Sequence, residues 1–409
     1  MLAVHAIVIA VLAAACRPAP PALDELAERY VRVALQLAQH DPSLVDAWTG
    51  PDSFKPGPRV PVAGLSTEVD TLARLIAEHG YDVSSSEESF RFHYLAAQVR
   101  ALRFISDRLL GRSAGIDDQL REEFGIAVAP FDRAATDRVL GELERALPGT
   151  GPLSERLSAL RTRTTVPRDR RHEVMSIAVK ACREPIAPLM DLPPGERVTV
   201  LFRNNMGWDA YAHHPEGHHT QIDISDEGPL DISRALHLAC HEGYAGHHAQ
   251  FLLIDRVIGN REWPELRLTP AFGPHLLFAE GAAEVGAELA GPPAQRAALY
   301  RNQLFPGAGI DTADVDALVR IDDLLPKLLP VVTDVARQYL DANITREQAV
   351  DRLSNEAMIS NAAGTLAFIE RRRARALVYG EGRLAVEARM PTRTLAALRD
   401  LFPFRAALQ

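Results

Sequence analysis

The chain has 409 residues, 47% of them hydrophobic and 24% charged, an ordinary globular composition with ample apolar material for a large core. A net charge of −9, a pI near 5.9 and the absence of a basic stripe exclude the electrostatic footprint of a nucleic-acid binder. Alanine and leucine dominate and aromatics are only 6%, which favours helix over sheet.

Residues 6–15 are a short apolar run ending in Ala13-Ala14-Ala15, too short for a bilayer and patterned as an export signal with a small-residue cleavage site. Cys16 follows directly, an arrangement that resembles a bacterial lipoprotein signal whose cysteine becomes a lipidated first residue. Two features depart from that pattern: the first five residues hold no Lys or Arg, and Leu12 lies one position early. The expected organisation is a signal peptide at 1–15, a Pro-rich tether at 16–22 and one helical domain over 23–409, in an envelope lipoprotein that meets the membrane only through Cys16.

Leu26, Tyr30, Val33 and Leu37 recur at helical spacing, as do Leu95, Val99, Leu102, Ile105 and Leu109, with Ser85 and Glu88 as a capping box ahead of the second set. Residues 131–147, 153–165 and 168–190 read as helices, broken by Pro167 and Pro193-Pro194. Arg197–Phe202 is a strand candidate. Tyr211–His214 and His218–Ile224 flank Pro215-Glu216-Gly217 as a hairpin, whose four histidines make a polar edge, a pH-sensitive rim or a second metal site. Asp231 caps a helix carrying His241, a second helix begins near Pro274, and Thr345 with Gln348 starts a later one. Cys182 and Cys240 are either a disulfide, which an exported protein permits, or two buried thiols.

The chemistry concentrates in His241-Glu242-Gly243-Tyr244-Ala245-Gly246-His247-His248. A catalytic zinc takes three N or O donors and leaves one position for water, and a Glu beside the first His can take that water's proton. His241 and His247 are six positions apart, roughly 600° around a regular helix, and His241 and His248 are seven apart, roughly 10 Å along the axis. Neither pair can share an ion without a distortion, which Gly243 and Gly246 permit. A two-residue excursion selects His247, the preferred ligand, and a three-residue one selects His248. Glu280 and Glu284, four apart on one helix face, offer a third donor and a carboxylate to hold a ligand histidine. The competing readings are a solvated face for Glu280, Glu284 and Glu288, and a His237–His241 pair as the metal pair with His247 structural.

The segment 241–248 resembles the H-E-x-Y-P-G-H-H signature of the bacterial domain-of-unknown-function family 885, with Ala245 in place of Pro. Phe278–Glu284 is similar to that family's E-G-W-A-x-x-x-E segment, with Ala282 in place of Trp, and Gly364-Thr365, Phe368 and Arg372 resemble its G-Q-x-x-I-x-x-x-R helix. The resemblance is specific over 237–290, looser over 360–390 and thin before 190. It implies a gluzincin-like zinc peptidase with a mainly α, two-lobed body, a deep cleft and a small hairpin or sheet beside the metal-binding helix, its catalytic centre within 197–290. The site it implies holds one Zn²⁺ on His241, His247 and Glu280, with Glu242 as general base, Arg372 and Tyr379 as oxyanion donors, and Glu284 behind the ligands. Peptides or small molecules are the expected substrates, an extended one adding as a strand to the arm 218–225. Hydrolysis of other amides or esters, or a non-enzymatic exported binding module, are the alternatives.

Overall fold

The computed structural model of the chain describes residues 22–79, 86–206, 208–214, 217–259 and 261–401. The expected export signal, Cys16, all of the tether but Ala22, Ser85 of the expected capping box and residues 215–216 of the hairpin turn lie outside the described residues. The fold is mainly α, with two small sheets among the described residues. No helix among the described residues is long and apolar enough to cross a membrane.

Helix α1 (Leu23–Ala38) buries Leu26, Tyr30, Val33 and Leu37 on one face, as their spacing predicts. It packs with α2 (Val62–His79) and α3 (Ser86–Leu109) into a first apolar core, where Leu95, Val99, Leu102 and Ile105 have at most 1% exposure. Strand β1 (Val45–Trp48) lies between α1 and α2, and α4 (Ile116–Phe124) follows α3.

Next come α5 (Arg133–Ala146), α6 (Leu153–Arg163) and α7 (Arg171–Ile186), inside the predicted helical stretches. The last is shorter than expected: a 3₁₀ turn occupies Arg168–Arg170, and the chain leaves the helix just after Pro185. Strands β2 (Arg197–Arg203), β3 (Ala210–His213) and β4 (His219–Ser225) form one sheet in the order β2-β4-β3. The hairpin is present, with Tyr211 opposite Asp223, and Thr220, Ile222 and Ile224 buried in alternation. β2 adds in parallel on the other side of β4, which corrects one expectation. The arm 218–225 is the central strand, so an extended substrate cannot pair with it; the strand with an open side among the described residues is β3.

Asp231 caps α8 (Ile232–His241) by accepting from Arg234 N at 2.9 Å. Then follow α9 (His247–Ile258), β5 (Leu268–Pro270), which pairs with β1, and α10 (Gly273–Leu289). The remaining helices are α11 (Pro293–Leu299), α12 (Phe305–Ala308), α13 (Val315–Leu324), α14 (Leu329–Leu340), α15 (Arg346–Asn355), α16 (Ala362–Arg372), α17 (Val378–Arg389) and α18 (Leu395–Leu401). Thr345 and Gln348 form the predicted capping box at the start of α15. A second core joins α5–α9 with the three-stranded sheet and α13–α15, and a third joins α4, α10, α17 and α18. In the third, α10 and α17 meet backbone to backbone: a Cβ on Gly281 would stand 2.1 Å from the carbonyl carbon of Gly382.

Glu123 on α4 is 3% exposed. Burial pushes its carboxyl up to about 7, opposed only in part by the charges of Arg375 and Arg108. Its folded pKa therefore lies above its unfolded value, so the stability it permits is complete below pH ~4.5 and is lost as pH rises through ~7. We expect Glu123→Gln to flatten that slope, removing a loss on the order of 3 kcal/mol across the window. Thermal melts of both proteins from pH 4 to 8 check this, and parallel curves would refute it.

Candidate metal centre

Of the bulge and the unwound turn that Gly243 and Gly246 permit, the segment 241–248 adopts the turn. α8 stops at His241 and α9 restarts at His247, with Glu242–Gly246 as a compact turn between them. His248 N donates to Glu242 O at 3.2 Å and Gly246 N to Gly243 O at 3.1 Å, which closes the turn. The full break follows from close approach at Gly246, where a Cβ would lie 1.8 Å from His241 O and 3.0 Å from the Ala283 side chain. Any larger residue there would push α8, the turn and α10 apart. The result brings the His241 and His247 rings to 4.9 Å between centroids, across 84°.

α10 supplies the carboxylates. Glu280 Oε2 lies 3.2 Å from His241 Nε2 and 3.5 Å from His247 Nε2. One ligand atom from each of His241, His247 and Glu280 thus falls within 4.8 Å of the others. Glu284 stands behind them, with Oε1 3.3 Å from His241 Nδ1 and 3.5 Å from His237 Nε2. His237, His241 and Glu284 satisfy the same distance limit, so the alternative pair named from the sequence also has a third donor. The two sets share His241 and use opposite ring nitrogens.

Glu280 and Glu284 are not a solvated face: their side chains are 14% and 15% exposed. Among the described residues no Lys or Arg pairs with either, and the ion-pair partners are imidazoles. Burial would raise the Glu280 carboxyl, but the charge of His247 and hydrogen bonds from His241 and His247 hold it down at about 2. Burial likewise disfavours a charged His241, yet its bonds to Glu280 and Glu284 hold its pKa well above the usual range. In chemical terms the cluster is a set of buried carboxylates balanced only by imidazoles. That donor set, two Nε2 atoms and one carboxylate oxygen backed by a second carboxylate, suits a small divalent cation such as zinc.

His248 turns away from this cluster. It has no exposure, and its Nε2 lies 3.2 Å from Glu196 Oε2 while Nδ1 lies 2.8 Å from Thr220 Oγ1. Burial pushes its pKa down to about 4.

The cluster opens into a cleft of about 1410 Å³. Glu242, 7% exposed, and Tyr379, 37% exposed, both line it. The Tyr379 ring is 6.4 Å from that of His241. The charge of Glu280, then burial and the charges of Glu242 and Glu284, raise the Tyr379 hydroxyl well above its usual pKa, so it stays a neutral donor. Arg372 is not on the cleft wall; its neighbour Arg371 is. The hairpin side of the cleft is the edge strand β3 with Trp208 and His214.

No local pattern points to Asp46. It lies in β1 at an irregularity of the pairing with β5, on the cleft wall, and burial raises its carboxyl to about 6. Glu196 and Thr220 were equally silent, since each acts through a partner at least 28 residues away.

The chain matches no family profile and no curated protein. Among solved structures it is similar to a candidate lipoprotein from Colwellia psychrerythraea, with a TM-score of 0.53 and 18% identity over 85% of this chain and 68% of that one. It is also similar to a candidate lipoprotein of unknown function from Shewanella oneidensis, with a TM-score of 0.46 and 14% identity over 83% and 71% of the two chains. At these identities the first likeness concerns the fold alone.

Proposed function

We propose that this chain is an exported zinc-dependent hydrolase that cleaves peptide bonds, a gluzincin-like enzyme of the domain-of-unknown-function family 885 type. The observation that carries the reading is the convergence of His241 Nε2, His247 Nε2 and Glu280 Oε2 on one point beside Glu242. Those three residues would hold the ion. When bound, zinc supplies Lewis acidity, which brings the pKa of a water toward ~7 and polarises a carbonyl.

The chain's own groups do the rest. Glu242 takes the proton of the attacking water and passes it to the leaving nitrogen. Tyr379, kept protonated by the surrounding carboxylates, donates to the oxygen on which negative charge develops. Glu284 fixes the ring of His241 through Nδ1. An extended substrate adds to the open side of β3 along residues 210–213, facing the cleft. Export is supported by the Cys182–Cys240 disulfide, which persists in an oxidising compartment, and by the anchor pattern at Cys16.

A second reading is an exported, lipid-anchored binding protein without catalysis. It is favoured by the Colwellia psychrerythraea structure, named a candidate lipoprotein. One preparation separates the two. Purified protein is expected to carry one zinc per chain and to hydrolyse members of a peptide panel, with activity lost to a chelator and restored by zinc. Turnover of acylated small molecules but of no peptide would move the reading to a non-peptide amide or ester. Protein that neither carries nor takes up a divalent metal would overturn it in favour of the binding protein.

A further inference from the structure

A polar chain, buried at Thr220 and His248, runs beside the metal motif. Arg183 Nη2 donates to Glu196 Oε1 at 2.8 Å, and Tyr244 OH donates to Glu196 Oε2 at 2.6 Å. The same Oε2 lies 3.2 Å from His248 Nε2. His248 Nδ1 is 2.8 Å from Thr220 Oγ1, which is 3.1 Å from His214 Nδ1, and His214 Nε2 is 2.7 Å from Asp255 Oδ2 at the cleft wall. The chain therefore ties the turn of the metal motif, through Tyr244 and His248, to the central strand β4 and to the rim of the cleft.

Counting protons fixes its direction. Ionised Glu196 and Asp255 can only accept, so His248 Nε2 and His214 Nε2 must both donate. The Thr220 hydroxyl has one hydrogen and faces two Nδ1 atoms. If both rings were neutral, both Nδ1 atoms would be acceptors, and Thr220 could satisfy only one of them. The Thr220 hydrogen therefore serves one ring. His248 has no exposure and packs deep in the second core, whereas His214 sits at the rim against Asp255, with His218 Nδ1 3.4 Å from the same carboxylate oxygen. The ring without exposure has no solvent to satisfy its Nδ1, so the Thr220 hydrogen goes to His248. The chain then reads in one sense: Thr220 donates to His248 Nδ1, and His248 Nε2 donates to Glu196.

We propose that Thr220 and Glu196 hold His248 in its Nε2–H form and so act as positioning residues for the adjacent ligand His247. This rests on the metal-centre reading above. The second histidine of the motif is thereby an anchor, and its backbone carries His247 into place at the first turn of α9. Partners bonded directly to a ligand, as Gln250 is to His247 Nδ1 at 3.3 Å, are worth about 10- to 100-fold in metal affinity, and Thr220 acts one residue further out, through His248, at the low end of that range.

The test uses the full-length protein. Thr220→Val removes the hydroxyl at nearly constant volume, and Thr220→Ser restores it. Zinc affinity by chelator competition is expected to fall about 10-fold in Thr220→Val and to stay near wild type in Thr220→Ser. The ligand-field spectrum of the cobalt-substituted protein is expected to change in the first variant only. Long-range ¹⁵N–¹H correlations on histidine-labelled wild-type protein are expected to show His248 protonated at Nε2 and not at Nδ1. Equal zinc affinity and identical cobalt spectra in wild type and Thr220→Val overturn the proposal, as does His248 protonated at Nδ1. Wild-type protein that binds no zinc removes the metal-centre reading instead, and the nitrogen correlations then decide the proton arrangement alone. If Thr220→Val does not fold, Glu196→Gln, which weakens the acceptor of His248, is measured in its place with the same expected loss.

Discussion

Glu242→Gln is expected to retain one zinc per chain and to lose peptide hydrolysis by about 10²- to 10⁴-fold, the usual contribution of a positioned general base. Glu242 caps the end of α8 through its backbone, with its N–H on Leu238 O at 3.0 Å and its carbonyl taken by His248 N. Those bonds survive the substitution, so His241 and His247 keep their relation. The ion-pair contacts of the proposed ligands run to Glu280 and Glu284, and Glu242 makes none of them. What changes is a buried carboxylate on the cleft wall that can accept a proton, replaced by an amide of the same shape that cannot. Parallel measurement of zinc content and turnover distinguishes the outcomes. Undiminished turnover with zinc retained would sink the role of Glu242, whereas loss of zinc together with turnover would place Glu242 in the structure of the turn.

The parts of this arrangement that were legible in the sequence are those encoded locally. The alternation of Ile222 and Ile224 with Gln221, Asp223 and Ser225 predicts β4, and Asp231 and Thr345 announce the helix starts they cap. Glu280 and Glu284 fall on one face because helix geometry places i and i+4 together. Apolar and small neighbours such as Leu277, Ala282 and Ala283 argue for burial of that face, which the fold provides. The glycines at 243 and 246 signal a distortion but not its form. A bulge and a full break cost the same in sequence, and what decides between them is the approach of Ala283 and the His241 carbonyl to Gly246.

What could not be read depends on partners far along the chain. The parallel addition of β2 to β4 makes a predicted edge into a centre, and nothing in 197–203 specifies that neighbour. Asp46 belongs to a strand that exists because β5, more than 200 residues later, pairs with it. The choice between Arg371 and Arg372 at the cleft is a matter of one position, or about 100° around the end of α16, a precision that resemblance over a looser region does not supply. His248 illustrates the same limit from the other side. Adjacent histidines on a helix start face different surroundings, so one meets Glu280 while the other meets Thr220 and Glu196.

The pairing of Cys182 with Cys240 carries the second large expected effect, because it was open in the sequence and joins two helices of the site's scaffold. It links α7 to the last turn of α8, with Cys240 directly preceding His241 and both cysteines at most 2% exposed. The bond closes a span of 58 residues, and the loss of unfolded-chain entropy for such a loop is worth about 4 kcal/mol. The double substitution Cys182→Ala and Cys240→Ala is therefore expected to lower unfolding stability by about that amount in denaturant titrations, relative to the oxidised protein. The same change frees the C-terminal turn of α8 at the residue before a proposed ligand, so zinc affinity is expected to fall with it. Reduction of the wild-type protein under mild denaturant, which admits reductant to the buried bond, should reproduce both losses and reoxidation should reverse them. Equal denaturation midpoints for oxidised and cysteine-free protein would show that α7 and α8 are held by their apolar contacts alone, and that the bond adds nothing to the placement of His241.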